Sequence, residues 1–342
     1  MKNTMTLVSH FAFLGLPRFT KALFLIAVFT LSSPGFSQDV GKVDYKTEGF
    51  TQKKFSHPEK KIFIQQFAVN YQTIMVSYAK ARGGNSFGGA VAGLALGLDG
   101  VTNEQLQKMT DEYYQNFVAR LESAGFSVLT VDEVQQNSHF ADWGRIKGGE
   151  PMQDAYATGY LTTLPSAFTQ LDGGAGTFNL AGQPESNQLG GVIVARVNLT
   201  VPFAESQSIE GGPVGGVAKI TAKADLRVSP MESIPQKGDF KKPIVLATEV
   251  TFAYKESLKW QALFKGKLKK PIEIESVLDE DTKYKATSVS TSGGGFTARY
   301  STAYSENATL VACDAAKYEK GVNQALNSYL NTSLDEFLGF IN

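Results

Sequence analysis

From Lys60 the chain reads KKIFIQQFAVNY, a nearly unbroken apolar run of the length that a strand buried on both faces requires. TIMVSYAKA follows, with Ile74, Val76 and Tyr78 alternating with more polar positions, which predicts a second, half-buried strand. At Thr102 the period changes. Leu106, Met109, Tyr113, Phe117 and Leu121 recur at helical spacing, Thr102 or Asn103 is placed to cap the first turn, and Gly125 ends the run. FSVLTV then predicts a buried strand, Asp132 opens a short second helix through DEVQQN, and MQDAYATGYLTTL reads as a short helix stopped by Gly159 ahead of another strand. Such alternation is the pattern of helices packed on a sheet. Residues 38–60 are polar and turn-rich and read as an extended lead-in.

The second half has a period of two. GVIVARVNLTVPF places Ile193, Ala195, Val197, Leu199, Val201 and Phe203 on one face, and GVAKITAKADLRV separates Ala218, Ile220, Ala222, Ala224, Leu226 and Val228 from Lys219, Thr221, Lys223, Asp225 and Arg227. IVLATEVTFAY predicts a further long strand, and KATSVST with FTARYSTAY, joined across Gly293, Gly294 and Gly295, predicts a hairpin. At the C-terminus Tyr318, Val322, Ala325, Leu326, Tyr329 and Leu330 trace one helical face behind Asp314 as cap, in one long helix or two joined near Asn331. The expected fold class is α+β: a mixed or antiparallel sheet with packed helices, long amphipathic strands and a C-terminal helix, in a single domain over residues 61–342.

Between the strands and the first helix lies GGNSFGGAVAGLALGLDG, nearly free of charge. As a helix it would align Gly89, Gly93 and Gly97 on one side, where small residues let another backbone approach closely. Its apolar run is too short to span a bilayer. A tightly packed helix or loop at a subunit interface is the leading expectation, ahead of a membrane-dipping segment and a disordered loop. Gly89, Gly93 and Gly97 are therefore the candidate packing seam.

Composition adds an address. Residues 1–37 carry Lys2, Arg18 and Lys21 and no acid, then the apolar run ALFLIAVFTL, then small residues at Gly35 and Ser37. This is the pattern of a secretory signal peptide cleaved after Ser37. The apolar core is about half the roughly 20 residues a spanning helix needs. The whole chain balances 33 basic against 33 acidic residues, so nothing in its charge favours nucleic acid as a partner.

Chemistry is sparse in the sequence. Beyond the leader the histidines are His57 and His139, far apart and without acids at ligand spacing, so neither a metal site nor a histidine-assisted nucleophile is expected. The single cysteine, Cys313, has no internal disulfide partner and reads as a small buried apolar residue. The acidic run Asp279, Glu280 and Asp281 lacks the ligand alternation of a calcium loop and reads as a solvated turn. The glycine-rich stretch ends in Leu98-Asp99-Gly100, without the Lys and Ser or Thr of a phosphate loop. No enzyme activity and no cofactor are expected.

The order of these elements resembles the periplasmic domain of the curli secretion channel (CsgG) family. The resemblance is carried by KKIFIQQFAVNY, by YYQNFVARLESAGFSVLTVDEV with Leu121, Phe126, Val128, Val131 and Glu133, by MQDAYATGYLTTL with Ala155, Ala157, Gly159 and Tyr160, and by the final helix from Asp314. It implies an oligomeric component of an outer-membrane secretion or assembly apparatus, in which each subunit lends strands to a shared barrel. A homo-oligomer at the periplasmic face of the outer membrane, with a protein cargo or envelope partner, is the implied assembly. The alternative within the same family is a soluble periplasmic adaptor. The chain departs from the channel members in lacking a lipid-bearing Cys after the leader. Residues 191–228 and 286–304 are the candidate barrel-forming hairpins, since barrel strands need about 9–11 residues with one apolar face; that the strands of 191–228 instead lay that face on the helices of a soluble sheet is the alternative that base rates favour.

Overall fold

The computed structural model describes residues 43–81, 90–153, 157–173, 182–211, 217–234, 243–279, 282–289 and 308–341. At its centre the apolar run becomes the strand Lys61–Gln72, buried along nearly its whole length. Ile193–Val201 runs parallel to one edge of it, with a bulge between Ala195 and Arg196. The other edge is shared by Ser127–Leu129, parallel at the start of the strand, and Tyr160–Thr163, antiparallel at its end. Outward from Ile193–Val201 lie Glu249–Lys255, Gln261–Leu268 and Tyr45–Phe50, each antiparallel to its neighbour. The segment read as a lead-in thus supplies an edge strand. Its Glu48 is held down to about 2 by hydrogen bonds from Lys46 and Lys267, and such charge on an edge discourages pairing with another chain.

Parallel neighbours need a crossover, and the helix Asn103–Ser123 forms part of it. Thr102 caps that helix in a capping box with Gln105, so the first-turn donors are satisfied before any packing occurs. Leu106, Met109, Tyr113, Phe117 and Leu121 are all buried. The C-terminal helix Ala315–Leu338 is continuous through Asn331 and capped by Asp314. Its predicted face is buried and extends to Leu334 and Phe337. The two helices lie side by side on one face of the sheet, joined by Lys108 to Glu319 at 2.7 Å and Arg120 to Asp335 at 2.5 Å. Phe117, Phe252 and Phe337 stack beneath them, the last pair at 3.6 Å.

Beyond this core the chain makes two three-stranded sheets. Ile74–Ala81 and Ala90–Asp99 form a hairpin that Thr309–Ala312 joins in parallel. Ala204–Gly211, Val217–Ala224 and Lys283–Val289 form the second sheet, all antiparallel. The first hairpin continues from Lys61–Gln72 and the second from Ile193–Val201, so both leave the core at the same end of its parallel pair. The sheets face each other, with Ala204–Gly211 over Ile74–Ala81 and Lys283–Val289 over Ala90–Asp99. Ala79, Ala92, Leu94 and Leu96 meet Ala204, Ala218, Ile220, Ala222 and Ala224 in one buried cluster continuous with the core. Small side chains there let the sheets lie close.

Several expectations are corrected. The face of Ile74–Ala81 buried in this sandwich holds Met75, Ser77 and Ala79, not Ile74 and Val76, because the apolar partners Leu94 and Leu96 stand opposite the former. AESQSIEG, which a 191–228 hairpin would make part of its connection AESQSIEGGPVG, is a strand, and Ile193–Val201 pairs within the core instead of with Val217–Ala224. Residues 191–228 are therefore not one hairpin. IVLATEVTFAY is divided at Thr248, whose N–H and hydroxyl bond to the Pro230 and Ser229 carbonyls, so Ile244–Ala247 and Glu249–Lys255 enter different sheets. Met152–Gln153 is a strand where a helix was expected. Gly159 has φ +88°, and a Cβ there would drive into the Ile74 carbonyl oxygen. It is a hinge between strands, not a helix stop.

Candidate functional site

The described part of the glycine-rich stretch is a strand and not a helix. Ala90–Asp99 carries Gly93 and Gly97, while Gly89 lies outside the described residues. The i, i+4 spacing survives because four residues is also two strand periods: Gly93, Ala95 and Gly97 share one face. Leucines at 94 and 96 turn inward to the sandwich, so the small residues lie on the other face beside Ile74 and Val76, where Ala95 and Gly97 are themselves buried. Leu310, opposite Gly97, is 64% exposed on this face. A Cβ on Gly97 would lie 3.3 Å from Leu310 Cδ2, so the glycine sets how closely Thr309–Ala312 can lie.

The opposite outer face of the sandwich carries charge of both signs, with Glu205 and Glu210 on the strand Ala204–Gly211 opposite Lys223 and Lys219. Its alternate positions hold Lys219, Thr221 and Lys223 on one strand and Lys283 and Lys285 on the next. Lys223 lies 3.6 Å from both Glu205 and Asp225. The hairpin pair thus presents a side of small and apolar residues and a side of mixed charge, with alanines between. Of the second candidate hairpin, residues 286–289 are described, at the end of the strand Lys283–Val289, and 290–304 lie outside the described residues.

Two clefts open on the core. A cleft of about 740 Å³ runs along the first half of helix Asn103–Ser123, lined by Glu104, Gln107, Asp111, Glu112 and Glu150 among others. Asp111 is occupied structurally, accepting from Ser166 N at 2.6 Å and Ser166 Oγ at 2.8 Å. The second cleft, about 330 Å³, is lined by His57, Lys61, Gly190, Gly191, Tyr254 and Glu256. There the Tyr254 hydroxyl donates to Glu256 Oε2 at 2.9 Å, His57 Nε2 stands 3.3 Å from the same carboxylate, and the His57 ring stacks on Trp260 at 3.9 Å. Burial and the neighbouring Glu256 push the Tyr254 hydroxyl well up, so it serves as a donor and not as a base. His57 is more than the turn residue its sequence neighbours suggest. Its partners come from a hairpin some two hundred residues away, which no local motif could reveal.

The remaining candidates are quiet. Burial, with Asp314 adjacent, pushes the Cys313 thiol up to about 12, which disfavours the thiolate that nucleophilic or redox chemistry needs. Asp279 is exposed and accepts from the Thr282 hydroxyl at 2.5 Å, as in a turn. Among the described residues no group of three His, Cys, Asp or Glu side chains is placed to hold a metal ion, and no helix is long and apolar enough to cross a membrane. An ion pair that the sequence reading missed is Arg196 with Glu185 at 3.1 Å, the Glu almost wholly buried. Gln65 accepts from Arg196 Nε at 2.8 Å, so this pair pins the short helix Gln183–Gln188 to the sheet. No family model matches the chain, and neither the curated proteins nor the solved structures compared with it give a match.

Proposed function

We propose that this chain is an exported, non-enzymatic envelope protein that works by assembling with copies of itself, as a component of an outer-membrane secretion or assembly apparatus similar to the curli secretion channel. The observation that carries this reading is the pair of long hairpins, Ile74–Asp99 and Ala204–Ala224, leaving one end of the parallel core strands side by side. A subunit that lends strands to a shared barrel needs two-stranded ribbons anchored in a folded body. Their face away from the sandwich interior carries Gly93, Ala95 and Gly97 on one ribbon, which suits close approach of another surface.

A soluble adaptor is the second reading, favoured by the alanine-rich seam that already buries one face of each ribbon within the monomer. The two separate by location and size. The chain, expressed with its own leader in a Gram-negative host, is fractionated into soluble periplasm and alkali-washed outer membrane, and the detergent extract is sized. A wash-resistant particle many times the mass of one chain is the expected result. Recovery only as a soluble monomer would remove the assembly reading and leave the adaptor.

A further inference from the structure

The hairpin of Glu249–Lys255 and Gln261–Leu268 turns over beside the start of Ile193–Val201, at the end of the core opposite the ribbons. Its turn, residues 256–260, lies against the short 3₁₀ helix Gln52–Ser56. The Thr51 hydroxyl donates to the Gln261 carbonyl at 2.5 Å, and the Lys54 ammonium donates to the Lys259 carbonyl. Trp260 sits between the two segments. The His57 ring stacks on it at 3.9 Å with 9° between the planes. The ammonium groups of Lys54 and Lys259 lie 5.7 Å and 5.4 Å from the centre of the same ring, within the range at which an indole attracts a cation. One ring thus gathers two cations.

Charge around this turn is one-sided. Residues 51–61 and 254–260 hold Lys53, Lys54, Lys60, Lys61, Lys255 and Lys259 against Glu59 and Glu256. Both acids are already engaged, Glu59 with Lys61 at 2.6 Å and Glu256 with Tyr254 and His57. Lys54 and Lys60 donate to the Lys259 and Ala124 carbonyls, and among the described residues neither they nor Lys53 and Lys259 form an ion pair with a carboxylate. In a chain that balances 33 basic against 33 acidic residues, this corner is a local excess of positive charge. Leu258, in the same turn, is 84% exposed. On the other side of His57 opens the cleft of about 330 Å³, where Gly190 leaves open space at the rim.

We infer that this corner is a docking surface for an acidic segment of a partner protein, whose carboxylates meet Lys53, Lys54 and Lys259 while an apolar side chain among them packs against Leu258. Complementary charge selects such a segment and speeds its encounter. The apolar contact holds it once the charges have met. A bilayer suits the corner less well. Trp260, the side chain that would anchor at a headgroup layer, is only partly exposed and has His57 on its ring, which leaves Leu258 alone in the turn to insert. The same covering denies a nucleic acid base its stacking platform. Since the turn lies at the opposite end of the core from the ribbons, its occupant and a second copy of the chain at the ribbons would not compete, and the two are tested apart.

The test is a peptide-display selection on the full chain, followed by fluorescence anisotropy of the selected peptides at about 50 mM and about 300 mM salt. Peptides rich in Asp and Glu beside an aliphatic or aromatic residue are expected, binding more weakly at the higher salt. Lys53→Glu together with Lys259→Glu is expected to weaken them by about tenfold with the urea midpoint unchanged, since both lysines are exposed. Leu258→Ser is expected to weaken them by about fivefold and to leave the salt dependence as it was. A selection that yields no acidic peptides, or acidic peptides whose binding survives the double reversal, would overturn the docking surface. Vesicles of phosphatidylglycerol and phosphatidylcholine supply the remaining arm. Cosedimentation of the parent chain that Leu258→Ser abolishes would assign the corner to a lipid surface and overturn the protein partner, whereas a parent chain left in the supernatant supports it.

Discussion

Phe337 lies flat on Phe252 at 3.6 Å and edge-on to Phe55 at 5.2 Å, with Phe264 at 5.8 Å. One ring from the last turns of the chain therefore touches a central strand, its neighbour and the N-terminal segment. Phe337→Ala would leave a void among rings that cannot collapse together, at a cost of about 3–5 kcal/mol. Urea unfolding should show that loss with little change in slope; a shift below about 1 kcal/mol would mean that the site repacks. Periodicity marked the helix face as far as Leu330, and the same period continued gives Phe337. What periodicity could not give was the partner, because the contact joins residues far apart in sequence. The same limit hid the role of Glu256, which binds both His57 and Tyr254. Arg227, which alternation placed on the polar face of its strand, is buried instead, because Asp225 and Glu232 satisfy its guanidinium.

At the scale of elements, local signals were reliable where the pattern was long. The capping box at Thr102, the cap at Asp314 and the clean alternation from Ile193 to Phe203 all stand in the structure. The glycine stretch failed because Gly and Ala carry no strong period, and four-residue spacing satisfies a helix and a strand alike. Its strand state is decided by tertiary pairing, with Ile74–Ala81 on one side and Thr309–Ala312 on the other. AESQSIEG failed for a similar reason: a polar strand with a bulge between Ser206 and Ser208 has the composition of a loop. Gly93 sits opposite Tyr78 on the outward face of its ribbon, away from the buried Ala92 and Leu94. Gly93→Leu is therefore expected to leave monomer unfolding within about 1 kcal/mol of the parent while reducing oligomer yield. Unchanged oligomer in cross-linking and sizing experiments would exclude this strand from the subunit contact.

Across the whole molecule, the C-terminal segment does two jobs. Thr309–Ala312 completes the sheet of the first hairpin, and Ala315–Leu338 covers Phe252 and Phe264. A chain ending before Thr309 should lose cooperative unfolding, with tryptophan fluorescence and far-ultraviolet dichroism no longer changing together in urea. Coincident transitions in the shortened chain would show that the core holds without its lid. The stitching has a further consequence in time. Tyr45–Phe50 waits for Gln261–Leu268, and Ala90–Asp99 waits for Thr309–Ala312. A chain emerging from its N-terminus must leave Tyr45–Phe50 unpaired until Gln261–Leu268 has appeared, and the outer edge of the Ile74–Asp99 hairpin open until Thr309–Ala312 has, so part of the native pairing arrives late. During that interval the nascent protein offers open strand edges, and its yield in a cell will depend on how long a holding chaperone shields them.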